Sequence, residues 1–453
     1  MRMIKKLIQI LVMVLCVSLM QPLIGEAEET LQLNSTVTGT LSKEQNRVIY
    51  KIELPKRGYL SLQLKSTFYG VNYQLSEESY GTIVEKSIYG DQNVPTTKSI
   101  GYDLEAGTYY FMLWDGSQYK DDDYELTAKF YEEKTDDVEP NNGNESAQNL
   151  TFNKKVSGFL SVQDRTDVYC LSLEKAGTLS IDWSSLVYGD TDLVLTDEEN
   201  NVVLDVEKNS DSQTAVKYDR SINLEAGNYF IKIKRSSELY NTGTYELLTS
   251  FKPANNQEAE PNNGSVQAMA LSFYKPISGF LSWNDSVDYY KVSVPKLSNV
   301  TLNLKSYIDS EAKIALYNYD NELISESTII SSVITPATHN QTFKLSAGTY
   351  YVAIKNASSH YYNAGKYTLQ VKSSHLLPTL AVNKVTVRSS KVSGKTEKGA
   401  MVTMTIGKKS YKRTADAKGN YSFSISKQKA GTSIKISSKN KYGSSVKTVK
   451  VSK

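Results

Sequence analysis

Cysteine is nearly absent from this chain: only Cys16 and Cys170 occur among 453 residues. Cys16 lies in an apolar run, Leu7–Met20, that follows Arg2, Lys5 and Lys6 and precedes the small residues Gly25–Ala27. This is the pattern of a secretory leader, residues 1–27, cut after Ala27. The bulky Leu15 before Cys16 argues against a lipoprotein signal. A chain processed in this way keeps one cysteine and no internal disulfide, so core burial or bound ions must stabilise it. Cys170, in the strand-like run "DVYCLSL", reads as a small buried hydrophobe. Beyond the leader no stretch is apolar enough to cross a bilayer. The expectation is a secreted, extracellular or cell-wall-associated protein.

Histidine is equally scarce, with only His339, His360 and His375. None stands in an H-E-x-x-H pattern, and G-x-S-x-G, Walker and C-x-x-C motifs are missing. These absences argue against zinc proteases, serine hydrolases, P-loop enzymes and redox catalysts. Carboxylate pairs could still serve glycoside hydrolysis, but the strongest acidic cluster has a better use, given below. The chain reads as not an enzyme.

Charge is present but segregated. Residues 378–453 hold 18 Lys/Arg against two acids, Glu397 and Asp416, while residues 28–377 hold 31 Lys/Arg against 46 acids. An acidic body therefore carries a basic tail, and the two should meet different partners.

The body is repetitive. "EPNNG" stands at 139–143 and again at 260–264. "LEAGTYY", "LEAGNYF" and "LSAGTYY" place Gly107, Gly227 and Gly348 at matching steps, as "TGTLS" and two copies of "SGFLS" place Gly39, Gly158 and Gly279. Tyr124, Tyr245 and Tyr367 each open a late Tyr-x-Leu. Three repeats result, 28–132, 137–252 and 258–373, each the size of one β-sandwich. Leu179, Ile181 and Trp183, or Tyr229, Ile231 and Ile233, alternate with other residues as half-buried strands do. Tyr350, Val352 and Ile354 repeat the pattern. Only the short "NESAQNL" and "GSVQAMAL" segments suggest helix. The fold class is all-β, with tandem jelly-roll-like sandwiches and a further sandwich at 378–453.

Repeat two combines Asp137, Glu139, Asn141 and Asn142 with the later pair Asp164 and Asp167. Repeat three combines Glu258, Glu260, Asn262 and Asn263 with Asp285 and Asp288. Six hard oxygen donors, four of them anionic, suit calcium and give zinc or copper nothing soft to bind. The same residues are also ordinary turn chemistry, and spacing alone leaves both readings open. Repeat one has Gln45 and Val48 where the aspartates stand and no EPNN before it, so no calcium is expected there.

The ordered motifs EPN-N, SGxLS, D-x-x-D-x-Y and L-x-AG-x-Y resemble the bacterial pre-peptidase C-terminal domain, a jelly-roll-like sandwich found beside secreted proteases. The match covers repeats two and three and the later part of repeat one. In calcium-binding members, such as collagen-binding domains of clostridial collagenases, the linker acids and amides hold Ca²⁺ with a later aspartate pair. The resemblance therefore implies calcium on the twelve residues just named. Residues 378–453, with "GKTEKGA", a hairpin at "IGKKSY" and "DAKGNY", resemble a bacterial Ig-like domain, here rich in lysine.

Two surfaces are candidates for ligands. Tyrosine is abundant, 32 in all, and Tyr110, Phe230 and Tyr351 alternate away from the inferred inward face, where they could meet protein or glycan. Lys408, Lys409, Lys412 and Arg413 flank the tail hairpin and could hold an anionic cell-wall polymer; nucleic acid is not expected as a partner. The expected function is adhesion or surface binding through a non-catalytic protein with calcium-stabilised linkers. The alternative is an accessory or spacer of a secreted hydrolase system, or an uncharacterised extracellular hydrolase.

Overall fold

The structure is a computed structural model that describes residues 28–453 except 68–69, 79–80, 91–93, 116–120, 212, 237, 239–240, 358–363 and 374–375. The proposed leader, His360 and His375 lie outside the described residues. The described residues are strands joined by turns, and none forms a helix long and apolar enough to cross a membrane.

Repeat three shows the shared plan. Its five-stranded sheet runs Met269–Leu271, Val287–Val294, Gly348–Asn356, Ser310–Tyr317, Leu323–Ser331, and its four-stranded sheet runs Ile277–Leu281, Gly365–Ser373, Ser298–Ser306, Ala337–Leu345. Repeats one and two have the same strand order. In each, a short first strand joins the five-stranded sheet in parallel, at Glu29–Thr30, Gln148–Asn149 and Met269–Leu271. Hairpin neighbours in the sheets pair antiparallel, as closely spaced hairpins favour. The tail has a three-stranded and a four-stranded sheet of its own.

Side-chain alternation drives these sheets, because period two sends every second residue to the core. Leu179, Ile181 and Trp183 are at most 1% exposed, and Tyr229, Ile231 and Ile233 at most 2%. The third run is less regular: Val352 and Ile354 are buried, while Tyr350 is half-buried.

The SGxL and Tyr-x-Leu motifs prove to be partners across one sheet. Gly39 pairs with Tyr124, Gly158 with Tyr245 and Gly279 with Tyr367. A Cβ on these glycines would sit 2.4, 2.1 and 2.2 Å from the nearest atom of the tyrosine side chain. Only glycine lets the ring lie flat on the backbone and carry its hydroxyl into the interior.

The described residues group into two compact units. The first holds repeat one with most of repeat two. The second holds repeat three, the tail, and two turns of repeat two at 173–180 and 221–227. In the first unit Val162 of repeat two joins the core of repeat one. In the second, Ala176, Ala254 and Phe280 form a small apolar cluster.

Two sequence expectations need correction. "NESAQNL" holds only a three-residue 3-10 turn, Asn144–Ser146, and "GSVQAMAL" only a turn, before each chain enters its parallel strand. Segments this short cannot offset helix nucleation, and pairing with a sheet edge satisfies the backbone instead. Cys170 is half-buried rather than buried, and desolvation raises its thiol pKa, away from reactivity.

Candidate metal centres

The linker before each of repeats two and three lies against its own sandwich. In repeat two the Asp136 and Asp137 amides both donate to the Ser157 carbonyl, and in repeat three Gln257 donates to Ser278. Further on, Val168 N–H donates to the Asn141 carbonyl at 2.8 Å, and Tyr289 N–H to the Asn262 carbonyl at 2.8 Å. These bonds dock EPNN beside the strand that carries the second aspartate. The Glu139–Pro140 and Glu260–Pro261 bonds are both cis.

Oxygens of Asp137, Glu139 and Asp167 come within 4.8 Å of one another, as do those of Glu258, Glu260 and Asp288. Asp164 and Asp285 adjoin them, 5% and 3% exposed, and each interacts electrostatically with its cluster. Their amides are held by serine hydroxyls, Asp164 by Ser161 at 2.9 Å and Asp285 by Ser282 at 3.1 Å. Asn141 and Asn262 are fully buried. Asn142 and Asn263, also predicted as ligands, are exposed. An extended linker turns alternate side chains to opposite sides, so only the first asparagine of each pair faces inward.

Burial of so much negative charge is costly. Desolvation first, then repulsion from neighbouring carboxylates, raises the pKa of Asp164, Asp167, Asp285 and Asp288. Asp167 Oδ1, Asp288 Oδ1 and both amide atoms of Asn141 are buried without a hydrogen-bond partner. Native interiors rarely leave such atoms unsatisfied unless an ion or water serves them. Oxygen-only donors with orphaned buried oxygens fit a hard divalent cation.

A tyrosine pair closes each site from the core. Tyr169 and Tyr245 hydroxyls lie 2.7 Å apart, and Tyr245 donates to Asp167 at 2.5 Å. Tyr290 and Tyr367 lie 2.6 Å apart, and Tyr367 donates to Asp288. Repeat one keeps the pair, Tyr50 and Tyr124 at 2.7 Å, and keeps the serine contact, Ser42 to the Gln45 amide at 3.1 Å. Val48 takes the place of the buried aspartate and is 6% exposed.

The two sites differ at their first acid. Asp137 is held by Arg57 of repeat one through two bonds, Nη1 to Oδ2 at 2.8 Å and Nη2 to Oδ1 at 2.6 Å. Glu258, one methylene longer, instead accepts from Tyr290 at 2.7 Å, Tyr367 at 3.2 Å, the Phe280 amide at 2.6 Å and Asn256 at 2.9 Å. Sequence reasoning treated the two acids as equivalent and missed Arg57, which stands 80 residues from its partner.

The weaker ligand surfaces fare unequally. Tyr110 and Phe230 are half-buried, but Tyr351 is 7% exposed and sits opposite Tyr317 in the sheet, so it does not face solvent. That strand is covered on both sides, since Ala353 beside Tyr351 is also buried. The expected tail hairpin is present, joining Met401–Ile406 to Lys409–Thr414. Lys408, Lys409, Lys412 and Arg413 are all exposed on it.

Known proteins meet the chain at several points. Residues 378–453 match the family model for a bacterial Ig domain. A collagenase of Clostridium perfringens is 26% identical over 238 residues, about half of this chain; the chain spans 20% of that relative's length. Among solved structures, the pre-peptidase C-terminal domain of a collagenase from Bacillus anthracis is 18% identical, with a TM-score of 0.21. It covers 23% of this chain and 97% of its own. Tandem CBM51 modules of a family 98 glycoside hydrolase from Streptococcus pneumoniae are 11% identical with a TM-score of 0.17, covering 49% and 83%. Both resemblances read from the motifs, pre-peptidase-type and Ig-like, are thus met again in known proteins.

Proposed function

We propose that this is a secreted, non-catalytic binding protein whose repeats two and three are stabilised by calcium. One observation carries the reading: both linkers are docked against a buried aspartate with an orphaned oxygen, while repeat one puts Val48 there. Asp137, Glu139, Asn141, Asp164 and Asp167 would hold the ion in repeat two. Glu258, Glu260, Asn262, Asp285 and Asp288 would hold it in repeat three. The cation neutralises buried charge that otherwise opposes folding, and so fastens each linker to its sandwich. Extracellular calcium modules have dissociation constants of roughly 10⁻⁴–10⁻³ M, which suits a role outside the cell.

The bound partner would be an extracellular protein or polysaccharide. The exposed lysines of the tail hairpin favour an anionic cell-wall polymer, as opposite charge both steers and holds. The repeats, at 28–132, 137–252 and 258–373, would set the distance between that contact and others. The test is retention of the purified chain on cell wall, on neutral glycan and on matrix protein, with calcium and with chelator. Calcium-supported, salt-sensitive retention on cell wall is expected. Retention on none of the three would leave the spacer alternative in place of binding.

A further inference from the structure

The turn "L-x-A-G" reads as a route into a strand, yet its second residue differs between repeats: Glu105, Glu225 and Ser346. Glutamate stands in the two repeats that are followed by an EPNN linker, and serine in the one that is not. Ser346 is exposed, whereas Glu105 and Glu225 are half-buried.

The same contacts bring each glutamate to the next repeat's site. Val162 N–H donates to the Asp103 carbonyl at 2.9 Å, and Trp283 N–H to the Asn223 carbonyl at 2.9 Å. Glu105 N–H also donates to Gln163 Oε1 at 3.3 Å. Beside these bonds the Ser161 hydroxyl hydrogen-bonds Glu105, and the Ser282 hydroxyl is shared between Glu225 and Asn284 Oδ1, the latter at 3.1 Å. Those serines are fully buried and are the ones that accept the Asp164 and Asp285 amides. The other oxygen of Glu105, Oε1, is buried without a partner. Desolvation raises the pKa of Glu105, with Arg57 opposing and Glu139 and Asp137 adding to it; Glu225 is raised to about 7 by desolvation and then by Glu260 and Glu258.

We propose that each calcium site is built by two consecutive repeats, with Glu105 and Glu225 of the preceding repeat acting as positioning carboxylates through Ser161–Asp164 and Ser282–Asp285. This rests on the calcium reading above, and on the orphaned atoms of the fully buried Asp167 and Asp288 within the two clusters and of the fully buried Asn141 beside the first. Calcium then does more than fasten a linker to its own sandwich. It makes the turn of one repeat part of the next repeat's site.

The full chain with its repeat-two site silenced by Asp164→Asn and Asp167→Asn isolates repeat three. Terbium bound there should be sensitised by Tyr290 and Tyr367, and calcium competition gives the affinity. Glu225→Gln should weaken calcium about tenfold or more, the scale of supporting-residue losses at metal sites, and leave melting in chelator unchanged. Ser282→Ala should weaken it too, and the double variant should be no worse than the poorer single one, since coupled residues are not additive. Unchanged affinity in Glu225→Gln, additive losses, or a loss accompanied by lower melting in chelator would each overturn the shared site while leaving calcium binding intact. Failure of the silenced chain itself to bind calcium or terbium would overturn the calcium reading and this proposal together.

Discussion

Repeats one and three are built alike around a buried tyrosine pair, Tyr50 with Tyr124 and Tyr290 with Tyr367. Against that pair repeat one sets Val48, and repeat three sets Asp288. The fold therefore does not need the carboxylate. A strand position that valine fills at no electrostatic cost has been given to a charge, and the linker brings further charges to it. Such an arrangement lowers stability unless something positive enters with it. On the proposed reading, repeat one is the sandwich without an ion, and repeat three is the sandwich that would depend on one.

The sharpest way to break the comparison is Val48→Asp. Repeat one has Glu29 beside Tyr50 and Tyr124 but neither the EPNN linker nor the D-x-x-D pair, so the new carboxylate would be buried between tyrosine hydroxyls with one further anion near it. A loss of about 3–5 kcal/mol is expected, the scale of an uncompensated buried charge. Millimolar calcium should not restore it, as hydrogen exchange in the strands Arg47–Leu54 and Asp122–Glu132 would show. Recovery of protection with calcium would mean that repeat one can assemble a site after all.

Calcium itself should give the next largest effect. At a hundredfold excess over its dissociation constant it should stabilise each loaded repeat by about 2.7 kcal/mol. Exchange in Val287–Val294 and Thr166–Leu173 should slow, and that in Arg47–Leu54 should not change.

The pH response follows from the same burial. Asp164, Asp167, Asp285 and Asp288 have folded-state pKa values above their unfolded ones, near 3.9. In chelator, the stability linked to their protonation is full below pH 4 and is lost as pH rises through the raised values, by about 1.4 kcal/mol per pKa unit. Protection of repeats two and three in chelator should therefore fall from about pH 4 to about pH 10, the span between the unfolded values and the raised ones, while that of the Val48 strand should fall less, through Asp103 and Glu105. With calcium present the trend should flatten or reverse, because the ion competes with the protons.

How much of this is legible in the sequence depends on the distance a contact spans. The strands, the three repeats and the pairing of glycine with tyrosine show as local patterns, because period two and the flat approach of a ring both restrict residue type. The split site was legible because EPNN and D-x-x-D recur at one spacing. Which asparagine faces inward was not, since an extended linker can present either side until it docks. Arg57 on Asp137 and Glu105 on Ser161 were not, because they join repeats through turns whose meeting no local pattern encodes. Glu225 and Ser346 did leave a signal, the single difference within "LEAG" and "LSAG", but its meaning appears only once the next repeat is in place.

The smallest effect expected is also the most telling, because its sign is unusual. Asp285→Gln with Asp288→Val writes repeat one's residues into repeat three. Removing buried anions in favour of an apolar or neutral residue is neutral to stabilising when nothing compensates them. Tyr367 loses Asp288 as an acceptor but keeps Glu258 at 3.2 Å and Tyr290 beside it, as Tyr124 keeps Tyr50. In chelator the double variant should therefore be more stable than the natural chain by about 1 kcal/mol. In millimolar calcium the order should invert, since only the natural chain gains from the ion. Chemical denaturation in both conditions, read at Trp283 beside the site, checks the crossing. A variant less stable in both would show that Asp288 serves the fold through Tyr367 rather than an ion, and the contrast with Val48 would then reflect two ways of packing one tyrosine pair.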